Sequence, residues 1–163
     1  MSTEHKLVGL IKANQEKYYR VAYSYVKNPD DALDIVNDAI VKALQNITTL
    51  RDKKHLETWF YRILINESVS FVRKYRRIVY LDDLPEAQLL EAESTDRDEQ
   101  MTLYAAIDKL SPKLRTVLIL RFFEDMRFDE IAEITSTKLS TVKARLYRAL
   151  ELLKIDIEGE DYV

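Results

Sequence analysis

The stretch LSTVKARLYRALELL (Leu139–Leu153) divides into two faces when wound as an α-helix. Leu139, Val142, Leu146, Ala149, Leu150 and Leu153 fall on one side, placed to pack on Phe128, Ile131 and Ala132 of the segment before. Ser140, Thr141, Lys143, Ala144, Arg145, Tyr147 and Arg148 face outward. Small polar residues first and cations behind them suit a helix whose N-terminal end enters the major groove of DNA, with Lys and Arg reaching bases or phosphates. Periodicity alone leaves a solvated face of an ordinary bundle equally open.

Working outward, the polar residues TST (135–137) separate this helix from a shorter one at about 128–135, and the pair reads as a helix-turn-helix. Further upstream, Met101–Leu110 and SPKLRTVLILRFFED supply two more helices. Ser111-Pro112 is a capped start, and Val117, Leu118, Leu120, Phe122 and Phe123 are the expected core. The stretch LDDLPEAQLLEAESTDRDEQ (81–100) reads as a flexible acidic linker, with a short helix expected near Glu86–Glu93. It separates two small helical domains, residues 1–80 and 101–163, so the predicted fold is all-α.

In the first domain Lys6–Val26 is predicted as one helix, with Leu7, Leu10, Ile11, Tyr18, Val21, Ala22 and Tyr25 inward. Asn28 caps the next helix, Pro29 takes its first position, and Val36, Ala39, Ile40, Ala43 and Ile47 repeat at helical spacing. In HLETWFYRILINESVSFVRKYRR, one stripe holds Leu56, Phe60, Ile63 and Leu64, and a rotated one holds Ile65, Val69 and Val72. That phase shift predicts a break at Asn66–Ser70, with Asn66 in a loop or Asn66 or Ser68 capping a second helix.

Composition narrows the function. The 163 residues contain no Cys and two His, which removes disulfides and thiolate metal sites and leaves no histidine cluster. Neither a metal nor a cofactor is expected. The N-terminal segment MSTEHKLVGLIKANQEK is not a signal peptide, and no apolar run approaches a bilayer span, so a cytoplasmic protein without membrane contact is expected. The net charge of −3 is unevenly spread: +5 over 1–80, −7 over 81–100 and −1 over 101–163. Within the last part, Lys138–Arg148 carries four cations and no acid. Two basic regions thus flank an acidic connector. No nucleophile–base pairing or Gly-rich phosphate loop is visible, so the chain does not read as an enzyme.

Two further constellations stand out. Asp31, Asp34 and Asp38 recur at i, i+3 and i+7 of the second helix. The helix dipole accounts for Asp31; Asp34 and Asp38 lie beyond its reach, as a solvated face or a docking stripe for a basic partner. Trp59, Phe60 and Tyr61 lie beside Arg62 and close in sequence to Asn66, Arg73, Lys74, Arg76 and Arg77. Aromatics among cations suit single-stranded DNA, whose bases stack while its phosphates meet charge; core packing with a solvated rim is the plain alternative.

Taken together, YYRVAYSYVKNPDDALDIVNDAIVKAL, TWFYRILIN and LSPKLRTVLILRFFEDMRFDEIAEI…STVKARLYRALELLK resemble the bacterial sigma factors of the extracytoplasmic-function group, in the sigma-70 superfamily. The three blocks, in order, span nearly all of the chain outside the linker. The resemblance implies an alternative sigma factor that binds core RNA polymerase, recognises the −35 and −10 promoter elements and helps open the promoter to initiate transcription. It assigns polymerase binding to Asp34 and Asp38. It assigns −10 recognition to Trp59, Tyr61, Asn66, Arg73, Arg76 and Arg77, with Asn66 reading a flipped base. It assigns −35 recognition to Ser140, Thr141, Lys143, Ala144, Arg145 and Arg148. It also implies an anti-sigma partner, often membrane-anchored. A stand-alone helix-turn-helix regulator is the runner-up. One departure is clear: Ser136, Thr137 and Lys138 stand where the family has a turn Gly, an apolar residue and a Ser.

Overall fold

The computed structural model describes residues 2–81 and 99–161, all of the regular structure among them helical. The helices are α1 Thr3–Ala13, α2 Gln15–Val26, α3 Pro29–Gln45, α4 Leu56–Leu81, α5 Glu99–Lys109, α6 Pro112–Leu118, α7 Phe128–Thr135 and α8 Leu139–Asp161. Two 3₁₀ turns, Ile47–Thr49 and Lys53–His55, join α3 to α4, and a π turn, Ile119–Phe123, comes after α6. The chain falls into two compact units, Met1–Lys74 with Glu133–Ser136 and Tyr75–Ala132 with Thr137–Val163. The expected linker helix near Glu86–Glu93 lies outside the described residues.

In the first unit the expected single helix over Lys6–Val26 is two helices meeting at Asn14. The Asn14 side-chain amide donates to the Leu10 carbonyl at 2.9 Å, taking an acceptor the helix would otherwise use, and its backbone leaves helical geometry at φ −127°, ψ 22°. Leu7 and Ile11 of α1 and Tyr18, Val21, Ala22 and Tyr25 of α2 are nonetheless buried as the periodicity requires. The Asn28 side chain accepts from the Asp31 N–H at 3.0 Å with Pro29 at the first position, so α3 begins as its sequence dictates. α2 packs on α3, whose Ala32, Ile35, Val36, Ala39 and Ala43 are buried.

α4 corrects a second expectation: it is continuous through Asn66–Ser70. The buried positions are Leu56, Phe60, Tyr61, Leu64, Ile65, Ser68 and Val72. They form one unbroken stripe once Ser68 is counted as inward. Its hydroxyl donates to the Leu64 carbonyl at 2.9 Å, which lets a polar residue occupy an apolar stripe without an unpaired group. The apparent phase shift arose because two inward positions, Tyr61 and Ser68, were absent from the apolar stripes. Asn66 therefore neither caps a helix nor lies in a loop.

In the second unit α8 packs against α5 and α6. Arg115 of α6 is buried and its guanidinium donates to the Asp108 carbonyl at 2.6 Å, tying α6 back to the end of α5. Ser111 precedes α6 as expected, but its side chain makes no capping hydrogen bond. Val117, Leu118, Ile119 and Leu120 are buried, whereas Phe122 is 55% exposed and Phe123 also lies at the surface. Both rings fall at the end of the π turn, after the run Arg115–Leu120 that is buried on every side, where the helix comes out to the surface.

Candidate nucleic-acid and polymerase interfaces

Three exposed helix faces carry the candidate residues. On α3, Asp34 and Asp38 are exposed and one turn apart, as their spacing requires. The sequence reading missed their apolar neighbours, since Leu33 and Val41 are each 51% exposed and Leu44 is exposed too. Leu33, Val41 and Leu44 share that face with Asn37, which is also exposed, so α3 presents an apolar strip edged by two carboxylates. The signal was available: Leu33, Val41 and Leu44 are apolar positions that the inward set of α3 does not use. Lys42, on the same helix, forms an ion pair with Glu67 of α4.

On α4, Trp59 is half-buried and Asn66 and Arg73 are exposed. At spacings of seven residues they share one face, and a rise of 1.5 Å per residue spreads them over about 21 Å. Arg76 and Arg77 fall within α4, but their side chains lie outside the described residues. Tyr61 does not join this face. It is 1% exposed, with the Tyr18 ring edge-on at a centroid distance of 5.3 Å and the Lys17 ammonium 5.5 Å from the Tyr61 centroid. Phe60 completes the cluster, 4.7 Å from Tyr18. The cluster is dry enough that burial, with a smaller push from Glu57, raises the Tyr18 phenol well above its ordinary pKa. Tyr61, expected among the −10 residues, thus lies on the inward stripe of α4 and presents no open ring face in this structure.

On α8 the division read from sequence is largely observed. Val142, Leu146, Ala149 and Leu153 are buried, while Ser140, Lys143, Ala144, Tyr147 and Arg148 are exposed and Thr141 and Arg145 partly so. Leu139 and Leu150, expected inside, are exposed at 45% and 37%; they sit at the edges of the apolar arc, where the packed face ends. Arg148 forms a surface pair with Glu151 at 3.1 Å, a solvent-exposed contact of small worth.

The atypical turn before α8 forms by a known route. Ser136 adopts the left-handed conformation at φ 56°, the Thr137 N–H donates to the Ala132 carbonyl at 3.0 Å, and the Ser136 N–H donates to the Glu133 carbonyl at 3.3 Å. These two bonds are the Schellman ending of a helix, with Ser in the place Gly usually takes. Among the described residues no helix is long and apolar enough to cross a membrane, and no group of three or more His, Cys, Asp and Glu could hold a metal.

Comparison with known proteins agrees with this arrangement. Residues 10–78 match the family model for sigma-70 region 2, and residues 100–153 that for sigma-70 region 4. The RNA polymerase sigma factor SigV of Bacillus subtilis is 43% identical over 160 residues, covering 98% of this chain and 96% of that protein. The ECF RNA polymerase sigma factor SigW of the same organism is 28% identical over 164 residues, covering 89% and 85%. Among solved structures, the sigma factor RpoE in complex with the anti-sigma factor NepR from Bartonella quintana has the same fold, with a TM-score of 0.70 at 22% identity over 94% of this chain and 97% of that one. The chain belongs to the sigma-70 family of RNA polymerase sigma factors, in its extracytoplasmic-function group.

Proposed function

We propose that this alternative sigma factor uses the three exposed faces for three separate tasks in transcription initiation. The outer face of α3 docks on core RNA polymerase through Leu33, Val41, Asp34 and Asp38: apolar contact supplies affinity and the carboxylates set register against a basic partner. The α4 face captures the −10 element, with Trp59 and Asn66 toward the bases and Arg73, Arg76 and Arg77 toward phosphates. The α8 face binds the −35 duplex through Ser140, Thr141, Lys143, Ala144, Arg145 and Arg148, which between them meet base edges and phosphates. Residues 1–80 and 101–163 act as the two promoter-binding domains, and 81–100 as the acidic connector. The protein works in the cytoplasm, where the polymerase is. An anti-sigma protein covers one or more of these faces, in keeping with the neighbour crystallised with NepR.

The observation that carries this reading is the α8 face, where six small or cationic side chains reach solvent above an apolar underside. Run-off transcription from a randomised promoter library, with this chain added to core polymerase, tests it. Start sites preceded by two fixed elements are expected, and they shift when the α8 face is scanned to Ala. A chain that binds such elements alone and never co-purifies with core polymerase is instead a stand-alone regulator.

A further inference from the structure

Arg148 is held by a carboxylate, but Lys143 is held differently. Its ammonium lies over the ring of Phe128, 5.9 Å from the centroid. The Arg121 guanidinium approaches the same ring at 5.1 Å while donating to the Met126 carbonyl at 2.9 Å. Phe128 is the first residue of α7 and half-buried. The acids beside it are engaged elsewhere: Arg127 Nε bonds Asp129 at 3.1 Å, and Glu130 accepts from the Arg127 backbone N–H at the same distance. The Arg127 guanidinium holds the Asp129 carboxyl below its ordinary pKa.

We propose that Phe128 is a positioning residue for promoter binding, whose ring orders Lys143 toward the phosphate backbone beside the −35 groove. The proposal rests on the assignment of α8 as the −35 reader. A free lysine stem loses much rotamer freedom when it binds. A ring that holds the ammonium beforehand removes part of that loss. Unlike a carboxylate, the ring leaves the charge unneutralised and does not take up the N–H donors in strong hydrogen bonds, so nothing is broken when phosphate arrives. The direction comes from the motif: the first helix of a helix-turn-helix crosses the DNA backbone, and Lys143 leans toward the start of that helix. Lys143 is thus a phosphate contact and not a base reader.

The test measures promoter affinity of the reconstituted holoenzyme across a salt series, using a promoter selected by the wild-type library experiment. Phe128→Leu is expected to weaken binding about two- to fivefold, the range that an exposed cation–π contact supports. Phe128→Tyr, which keeps the ring, is expected to restore wild-type affinity. Lys143→Ala weakens all sequences alike and lowers the salt slope by about one. In the Lys143→Ala background, Phe128→Leu has no further effect. Because Phe128→Leu could disturb folding, a trifluorinated phenylalanine at position 128 supplies the same comparison: its size is nearly unchanged and its ring face no longer attracts a cation. Unchanged affinity with the fluorinated ring overturns the proposal, as does an equal loss from Phe128→Leu with or without Lys143. A Lys143→Ala variant that alters base preference at one position overturns the phosphate assignment. If the wild-type holoenzyme selects no promoter at all, the −35 reading itself fails and takes this proposal with it.

Discussion

α4 and α8, of 26 and 23 residues, are the two longest helices among the described residues, and their sequences inform very differently. In α8 the buried positions Val142, Leu146, Ala149 and Leu153 are all apolar, so periodicity locates both faces. In α4 the inward stripe passes through Ser68, and a reading that sorts residues by polarity sees a break. The hydroxyl of a helical Ser can be satisfied by the carbonyl four residues before it, and the residue then behaves as a small core side chain. Where α4 is misread as broken at 66–70, Asn66 becomes a loop residue or a cap. With α4 continuous, Asn66 is an exposed helical side chain and Tyr61 is core.

The sharpest challenge to this contrast is to truncate the two aromatics that sequence places side by side. Tyr61→Ala should destabilise the first unit by about 3–5 kcal/mol, as loss of a buried aromatic does, with thermal melting as the readout. Trp59→Ala should leave the melt nearly intact and reduce promoter opening, seen by permanganate footprinting. Equal loss of stability in both would mean that Trp59 is core as well.

On α3, Leu33→Asp with Val41→Asp should weaken core polymerase binding at least as much as Asp34→Arg with Asp38→Arg. Each Asp would place an unpaired carboxylate in the apolar contact, at a cost above about 1 kcal/mol. Affinity measured by competition against a second sigma factor checks this, with circular dichroism confirming helicity. Retained affinity in the double Leu33/Val41 variant would reduce the apolar strip to an ordinary exposed surface.

Ser136→Gly should stabilise the helix-turn-helix by about 0.5–1 kcal/mol, because a non-Gly residue in the left-handed region carries a steric cost that Gly avoids. A small rise in the melting temperature is the expected result. Destabilisation instead would mean that the Ser136 side chain makes a contact worth more than the backbone relief.

The smallest expected change is in the stability of Asn66→Ala. In a continuous helix this replaces a poor helix former by the best one and gains a few tenths of a kcal/mol. At a helix cap it would cost about 1 kcal/mol. Promoter opening should nonetheless fall, with a pre-melted template recovering part of the loss. A clear loss of stability would restore the break that α4 does not show.

Local sequence was enough for the all-α class, the start of α3 at Asn28-Pro29, the two faces of α8 and the placement of Asp34 and Asp38 outside the core. These features obey local rules, a cap, a ring-locked φ and a period, that act within one or two helical turns. Packing was needed to show that Tyr61 joins Tyr18 and Phe60 in the core, that Ser68 belongs to the inward stripe, and that Phe122 and Phe123 turn outward. Packing also places Lys143 on Phe128, a residue in another helix. Polarity sorts side chains one at a time, but burial depends on which partners the packed chain brings to each face. Ser68 shows the consequence most plainly: its own i−4 carbonyl supplies the hydrogen bond, but only packing on that face removes the water that would have supplied it instead.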